Sequence, residues 1–133
     1  MTTTVFTYGS LMFPRVWQNV VRGSYRASNA HVKEHGRFAV HGEKYPGMVL
    51  LPGSSVDGVL YHDLDDADLL RLDRFEGSEY RRDTVIATLE DGQQIEADTY
   101  IHIVTERLAS TPWHPGEFDL AGFLHTYCPE GSV

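Results

Sequence analysis

Between Ser24 and Asp63 the chain carries four runs of strand-type residues in succession, with turn residues and no helix-length apolar stripe between them. The runs are Ala30–Glu34, Phe38–His41, Met48–Leu51 and Val56–Tyr61, and Pro52-Gly53-Ser54-Ser55 reads as a turn. A further strand, Thr3–Tyr8, precedes them. Two more, Thr84–Leu89 and Ile95–Val104, flank Asp91-Gly92, a strong hairpin signal. This succession argues against a doubly wound parallel sheet, because parallel neighbours need a crossover of a dozen or more residues, usually a helix. The expectation is an α+β domain with a mainly antiparallel or mixed sheet, and the pattern leaves open whether that sheet closes into a barrel. The 133 residues, 41% hydrophobic and 23% charged, fit one domain spanning 1–133.

Three helices are expected around the strands. Pro14 stands near the first turn of one and Gly23 just past its end, with Val16, Trp17, Val20 and Val21 as the buried stripe. The second runs from Asp63 to Glu76. Acidic residues crowd its start, which suits the positive end of the helix dipole, Leu69, Leu70, Leu72 and Phe75 form its apolar face, and Gly77 stops it. A short third helix runs from Asp119, its cap, to Tyr127.

Nineteen acidic against eleven basic side chains give a formal charge of −8. That field repels phosphate backbones and anionic lipid, so no nucleic-acid partner and no membrane partner is expected. No apolar stretch reaches the ~18 residues of a membrane span. Met1-Thr2-Thr3-Thr4 lacks the basic and apolar regions of an export signal, so the expected location is cytoplasmic. Cys128, the one cysteine, is expected to be a small packed or partly exposed side chain, without a basic neighbour to activate it. His31 and His35 are four apart on a predicted strand and turn, and no H-E-x-x-H occurs, so no metal is expected. The acidic cluster from Asp63 to Asp68 lacks the Gly and terminal Glu of a calcium loop and reads as a solvated helix start.

Two places can carry chemistry. Leu69 and Glu76 are seven residues apart, which at ~100° per residue puts them within ~20° of one another on a helix. Glu76 therefore stands on the buried face, in the last turn. Desolvation and the negative helix end both favour its protonated form, as general acid–base chemistry near neutral pH requires. The alternative is a frayed last turn, with Glu76 in water or paired to Arg81 or Arg82. The second place is Tyr8-Gly9-Ser10-Leu11, a strand end running into a helix. Its backbone N–H groups could hold an anion or a developing oxyanion, or it could be a plain turn. It matches neither nucleotide-phosphate loop pattern nor G-x-S-x-G.

Val5-Phe6-Thr7-Tyr8-Gly9-Ser10-Leu11 and Leu72-Asp73-Arg74-Phe75-Glu76-Gly77 occur in that order, with Tyr45-Pro46-Gly47 and Gly58-Val59-Leu60-Tyr61 between and Glu79-Tyr80-Arg81-Arg82 with Val85 after. In these motifs the chain resembles the γ-glutamylcyclotransferase-like family, which includes the AIG2-like plant proteins. The resemblance runs from Val5 to Tyr127. It implies a small β-barrel bordered by helices, with a pocket where the Tyr-Gly-Ser-Leu loop meets the glutamate. It also implies cyclisation of a γ-glutamyl amine to 5-oxoproline without a cofactor, Glu76 being the general acid/base. The loop N–H groups of Gly9, Ser10 and Leu11 would hold the oxyanion or the substrate's α-carboxylate. Tyr8 would line the pocket and Tyr80 would orient substrate or carboxyl, unless it only packs. Arg37, Arg82 and Trp113 are further expected wall residues. Leu11 follows Ser10 directly, unlike the longer glutathione-specific branch. The competing expectation is a noncatalytic small-ligand binding or interaction module on the same scaffold, which would have no need of a carboxyl at position 76.

Overall fold

The computed structural model describes residues 2–127 of the chain; Cys128 lies outside them. Among the described residues the strands are β1 (Thr3–Thr7), β2 (Ala27–Val40), β3 (Pro46–Leu64), β4 (Tyr80–Leu89), β5 (Gln94–His102) and β6 (Leu108–Pro112). The helices are α1 (Pro14–Val20), α2 (Asp66–Glu76) and α3 (Leu120–Tyr127). β1 lies antiparallel to β3, β3 to β2, β2 to β4 and β4 to β5. A parallel bridge from Val5 to Asp98 brings β5 back to β1 and closes a five-stranded barrel. β6 extends the sheet along β2, outside the ring. The fold is α+β, and the sheet is closed. Among the described residues no helix is long and apolar enough to cross a membrane.

The four runs expected between Ser24 and Asp63 are two long strands. Lys33 pairs with Ser55 but His35 pairs with Leu50, so Glu34 alone stands opposite Leu51–Ser54. The segment Leu51–Ser54 is therefore an enlarged bulge inside β3, and Pro52-Gly53-Ser54-Ser55 is not a turn between strands. Glu34 adopts a φ of 63°, and its carboxylate accepts a hydrogen bond from the Gly53 N–H at 3.0 Å. Bulges and turns use the same residues, because both need backbone conformations outside the extended region. The bend has a use: before it β2 pairs with β4, beyond it with β6. The β4–β5 hairpin turns at Asp91-Gly92, where Gly92 takes a φ of 89° that a residue with a Cβ resists.

Apolar residues pack in two layers, because β1 and β3 are covered on both faces. Phe6, Tyr8, Met48, Val56 and Leu60 fill the barrel. Their strand neighbours Val5 and Tyr61 point the other way, under α1 and α2, against Val16, Trp17, Leu69 and Leu72. Trp17 stacks on Tyr61 with ring centroids 3.6 Å apart. Fully burying a Leu72 or Val16 side chain contributes ~1.5–3 kcal/mol each, so these contacts fix where α2 ends.

Helix boundaries depart from expectation in detail. α1 ends at Val20, where Val21 turns extended, before Gly23 is reached. α2 begins at Asp66, capped by the Asp65 carboxylate, which accepts from the Asp68 N–H at 2.8 Å. Asp63 and Leu64 belong to β3 or its end. Leu70 is 48% exposed and lies off the apolar face. α3 has Asp119 as its cap, through the Gly122 N–H at 3.0 Å. The acidic cluster is not uniformly solvated. The Asp68 side chain is 1% exposed and accepts from the N–H groups of Arg22 and Gly23, each at 2.9 Å, and from Tyr25 Oη at 2.7 Å. Arg71 completes the set at 2.5 Å. Burial would push this carboxyl up, but the hydrogen bonds outweigh it and hold it down at about 2. Asp68 thereby ties the segment after α1 to the start of α2.

Candidate active site

Four chain segments converge at one end of the barrel. β1 delivers Tyr8, and the following residues turn through a short helical loop, Ser10–Met12. Pro46 opens β3, Glu76 closes α2 and Tyr80 opens β4. Together with Tyr45 and Tyr100 they line a narrow pocket. Tyr8, Gly9, Ser10, Leu11, Glu76 and Tyr80 all line it. The chain thus brings together a carboxyl and a loop that stand far apart in sequence.

Glu76 is half-buried as a residue, and its carboxyl is pushed up to about 8, first by desolvation and then by the negative charge of Asp73. Neither expected arginine pairs with it. Arg81 binds Asp83 at 2.8 Å. Arg82 spans Asp73 and Asp98 at 2.9 and 2.7 Å, beside the pocket and not on its wall. Among the described residues no group donates a hydrogen bond to the Glu76 carboxyl, so it is unspent. Asp73 also accepts from Tyr100 Oη at 2.8 Å, and the Tyr100 carbonyl accepts from Tyr8 Oη at 2.6 Å. Tyr8 is buried, and burial together with the nearby Glu76 pushes its phenol well above the ordinary range. It is a neutral donor, not a base. The Tyr80 hydroxyl donates to the Pro46 carbonyl at 2.7 Å, so its ring forms wall while its hydroxyl holds the Tyr45–Pro46 segment.

Gly9 is required by close approach. A Cβ there would come within 2.8 Å of the Pro46 ring carbons, closer than carbon atoms pack. Among the described residues the N–H groups of Gly9, Ser10 and Leu11 have no protein acceptor, whereas those of Met12 and Phe13 bond back to the carbonyls of Gly9 and Ser10. Three free donors therefore accompany the loop. Arg37 and Trp113, expected on the wall, are not there. Arg37 lies behind the loop, with Trp113 stacked on it at 5.4 Å from guanidinium to ring centroid. Trp113 lines a separate surface depression with Lys44 and Phe118. His31 and His35 lie along β2, and among the described residues no three His, Cys, Asp or Glu are grouped to hold a metal ion.

From sequence, Asp73 and Tyr45 had no site role beyond their place in the quoted motifs, and Tyr100 was not singled out. Asp73 was findable, since a residue three before Glu76 on a helix is its surface neighbour. Tyr100 carried no signal, because its partners lie 27 and 92 positions away.

Comparison with known proteins agrees with this architecture. Residues 5–118 match the family described as gamma-glutamyl cyclotransferase, AIG2-like. AIG2-like protein D of Arabidopsis thaliana is 30% identical over 100 residues, 74% of this chain and 66% of that protein. Protein AIG2 C of the same plant is 27% identical, over 74% of this chain and 61% of that protein. The chain thus spans under two thirds of the length of these curated relatives. Among solved structures, an Arabidopsis thaliana solution structure superposes with a TM-score of 0.75 at 23% identity, covering 96% of this chain and 81% of that one. A structure titled gamma-glutamyl cyclotransferase gives 0.66 at 18%, covering 77% and 67%. At those identities the superpositions speak to the fold, but the match over residues 5–118 reaches further, and on it the chain belongs to the gamma-glutamyl cyclotransferase, AIG2-like family.

Proposed function

We propose that the protein is a γ-glutamylcyclotransferase, which converts a γ-glutamyl amine to 5-oxoproline and the free amine with Glu76 as general acid/base. The observation that carries this reading is a carboxyl at about 8 that lines the same pocket as a loop whose three N–H groups, among the described residues, have no protein acceptor. The substrate's α-amine attacks its own γ-carbonyl carbon, so the protein needs no nucleophile. Glu76 takes a proton from the attacking nitrogen and returns it to the leaving nitrogen as the C–N bond breaks. A carboxyl raised toward 8 is a strong enough base to take the proton and still a strong enough acid to return it near neutral pH. The N–H groups of Gly9, Ser10 and Leu11 meet the anionic parts of the substrate. One preorganised oxyanion donor is worth ~2.7–4 kcal/mol of transition-state stabilisation. A narrow pocket walled by Tyr45, Pro46, Tyr80 and Tyr100 also holds the folded conformer that ring closure needs, where orientation contributes up to ~7–11 kcal/mol.

The test is a set of γ-glutamyl amines differing in the leaving amine, incubated with the purified protein and assayed for 5-oxoproline and free amine in equal amounts. Turnover of at least one, lost in Glu76→Gln, is expected. Failure of every amine to release 5-oxoproline would sink the proposal and leave the noncatalytic binding module as the better reading.

A further inference from the structure

Arg37 was expected on the pocket wall, but its position gives it a different task. It sits on β2, and its Nη1 donates to the Tyr8 carbonyl at 2.8 Å and to the Asp57 carbonyl at 3.0 Å. Met12 Sδ lies 3.9 Å from the same nitrogen, and the Trp113 ring covers the guanidinium. Its Nε is buried and has no partner among the described residues. Among the described residues its acceptors are thus two backbone carbonyls and a thioether, and no carboxylate. Burial disfavours the charged guanidinium and the nearby Asp57 charge offsets only part of that, so a group kept in that state calls for an account beyond packing.

The account lies in the peptide it grips. The Tyr8–Gly9 bond is trans, and in a planar trans peptide the C=O and N–H point in opposite directions. Arg37 is not among the residues lining the pocket, whereas Tyr8 and Gly9 are. A carbonyl drawn back onto Arg37 therefore sends the Gly9 N–H away from Arg37, and that N–H has no protein acceptor among the described residues. We propose that Arg37 is a positioning residue for cyclotransfer, which fixes the Tyr8–Gly9 peptide so that its N–H faces the oxyanion formed at the substrate's γ-carbonyl. The inference rests on the cyclotransferase reading above. A charged donor on the carbonyl also polarises the peptide and strengthens its N–H as a donor. The guanidinium charge itself stands behind the loop, where it favours negative charge in front of it.

The test compares Arg37→Met and Arg37→Lys with the parent protein. Met keeps most of the bulk under Trp113 but neither charge nor donor; Lys keeps the charge and one donor direction. For a γ-glutamyl amine that the parent turns over, kcat in Arg37→Met is expected to fall at least tenfold with KM within twofold, and Arg37→Lys to recover part of it. Thermal melting of both variants should stay close to the parent's, since the loss of two carbonyl hydrogen bonds is offset by relief of the guanidinium's desolvation. A second readout needs no turnover. Addition of 5-oxoproline to ¹⁵N-labelled parent should shift the Gly9 amide resonance, and in Arg37→Met the same titration should weaken at least tenfold. An active parent whose Arg37→Met variant is equally active, or binds 5-oxoproline equally well, overturns the role of Arg37 alone. A loss that Lys does not recover and that follows a fall in melting temperature also overturns it, as mere packing. A parent that neither turns over any γ-glutamyl amine nor binds 5-oxoproline overturns this inference together with the cyclotransferase reading.

Discussion

Glu76→Gln separates what the carboxyl does for the reaction from what it costs the fold. The substitution keeps shape and hydrogen-bonding capacity but cannot exchange a proton, so 5-oxoproline formation is expected to fall by ~10²–10⁴. The stability effect has the opposite sign and a definite pH dependence. The Glu76 carboxyl rises from 4.5 in a free chain to about 8 in the fold, chiefly by desolvation, with Asp73 adding to it. A carboxyl raised in this way supports the fold fully below its unfolded value, and that support is lost as pH climbs through the folded value. At ~1.4 kcal/mol per pH unit, the parent should lose up to roughly 5 kcal/mol between pH 4.5 and pH 9, less where water enters the pocket. Glu76→Gln should lose none of this. Urea denaturation at pH 4.5, 7 and 9 measures the difference. The two proteins should be about equally stable at pH 4.5, and the variant should lead by an amount that grows to pH 9. In the parent kcat/KM should rise with a limb near 8, and that limb should be missing from any residual activity of the variant. A parent-level rate in Glu76→Gln, or a stability difference that does not change with pH, would refute the assignment of a desolvated acid/base at this position.

Asp73→Asn removes the negative neighbour, so the kcat/KM limb should move to lower pH; titration of activity checks this, and an unmoved limb counts against the coupling. Gly9→Ala puts a Cβ within 2.8 Å of the Pro46 ring, so the loop must shift, with at least a tenfold loss of activity and ~1–3 kcal/mol of stability by chemical denaturation. Asp68→Asn should cost ~3–5 kcal/mol, because Arg71 and two backbone N–H groups lose a buried anion. Asp68 titrates at about 2 against an ordinary 3.8, so its support is present above 3.8 and lost as pH falls through 2. Acid denaturation of the parent in that window should therefore be steeper than that of Asp68→Asn.

Local periodicity explains why some parts of the molecule could be read in the chain. The helical phase that puts Glu76 beside Leu69 and Leu72 is a property of about two turns of α2, and Tyr8-Gly9-Ser10-Leu11 is a strand end whose break is visible in four letters. Closure of the barrel was not readable, since Val5 meets Asp98 through a pairing that no local pattern encodes. Pro52-Gly53-Ser54-Ser55 misleads because a bulge and a turn draw on the same residues. Arg37 and Arg82 are natural guesses for a wall facing an anionic substrate. Their carbonyl and carboxylate partners at Tyr8, Asp57, Asp73 and Asp98 come from four other segments, and those partners decide their direction. Asp68 shares its letters with Asp65 and Asp66, and only the return of the Arg22–Tyr25 segment buries it.

The bridge between Val5 and Asp98 also dictates an order of events. β1 precedes the other strands of the sheet in chain order, yet its partners β3 and β5 begin only at Pro46 and Gln94. Its hydrogen bonds to the later segments, Tyr8 to Tyr100 and Thr99 to Phe6, span 92 and 93 residues. Contacts of that separation carry the largest loop-closure entropy and slow folding. The local β2–β3 and β4–β5 hairpins can form while β1 waits, and the loop after β1 gains its place opposite Glu76 only when the ring shuts. The ability to hold a ligand should therefore emerge in the last, slow kinetic phase of refolding, after most of the strand signal has already returned.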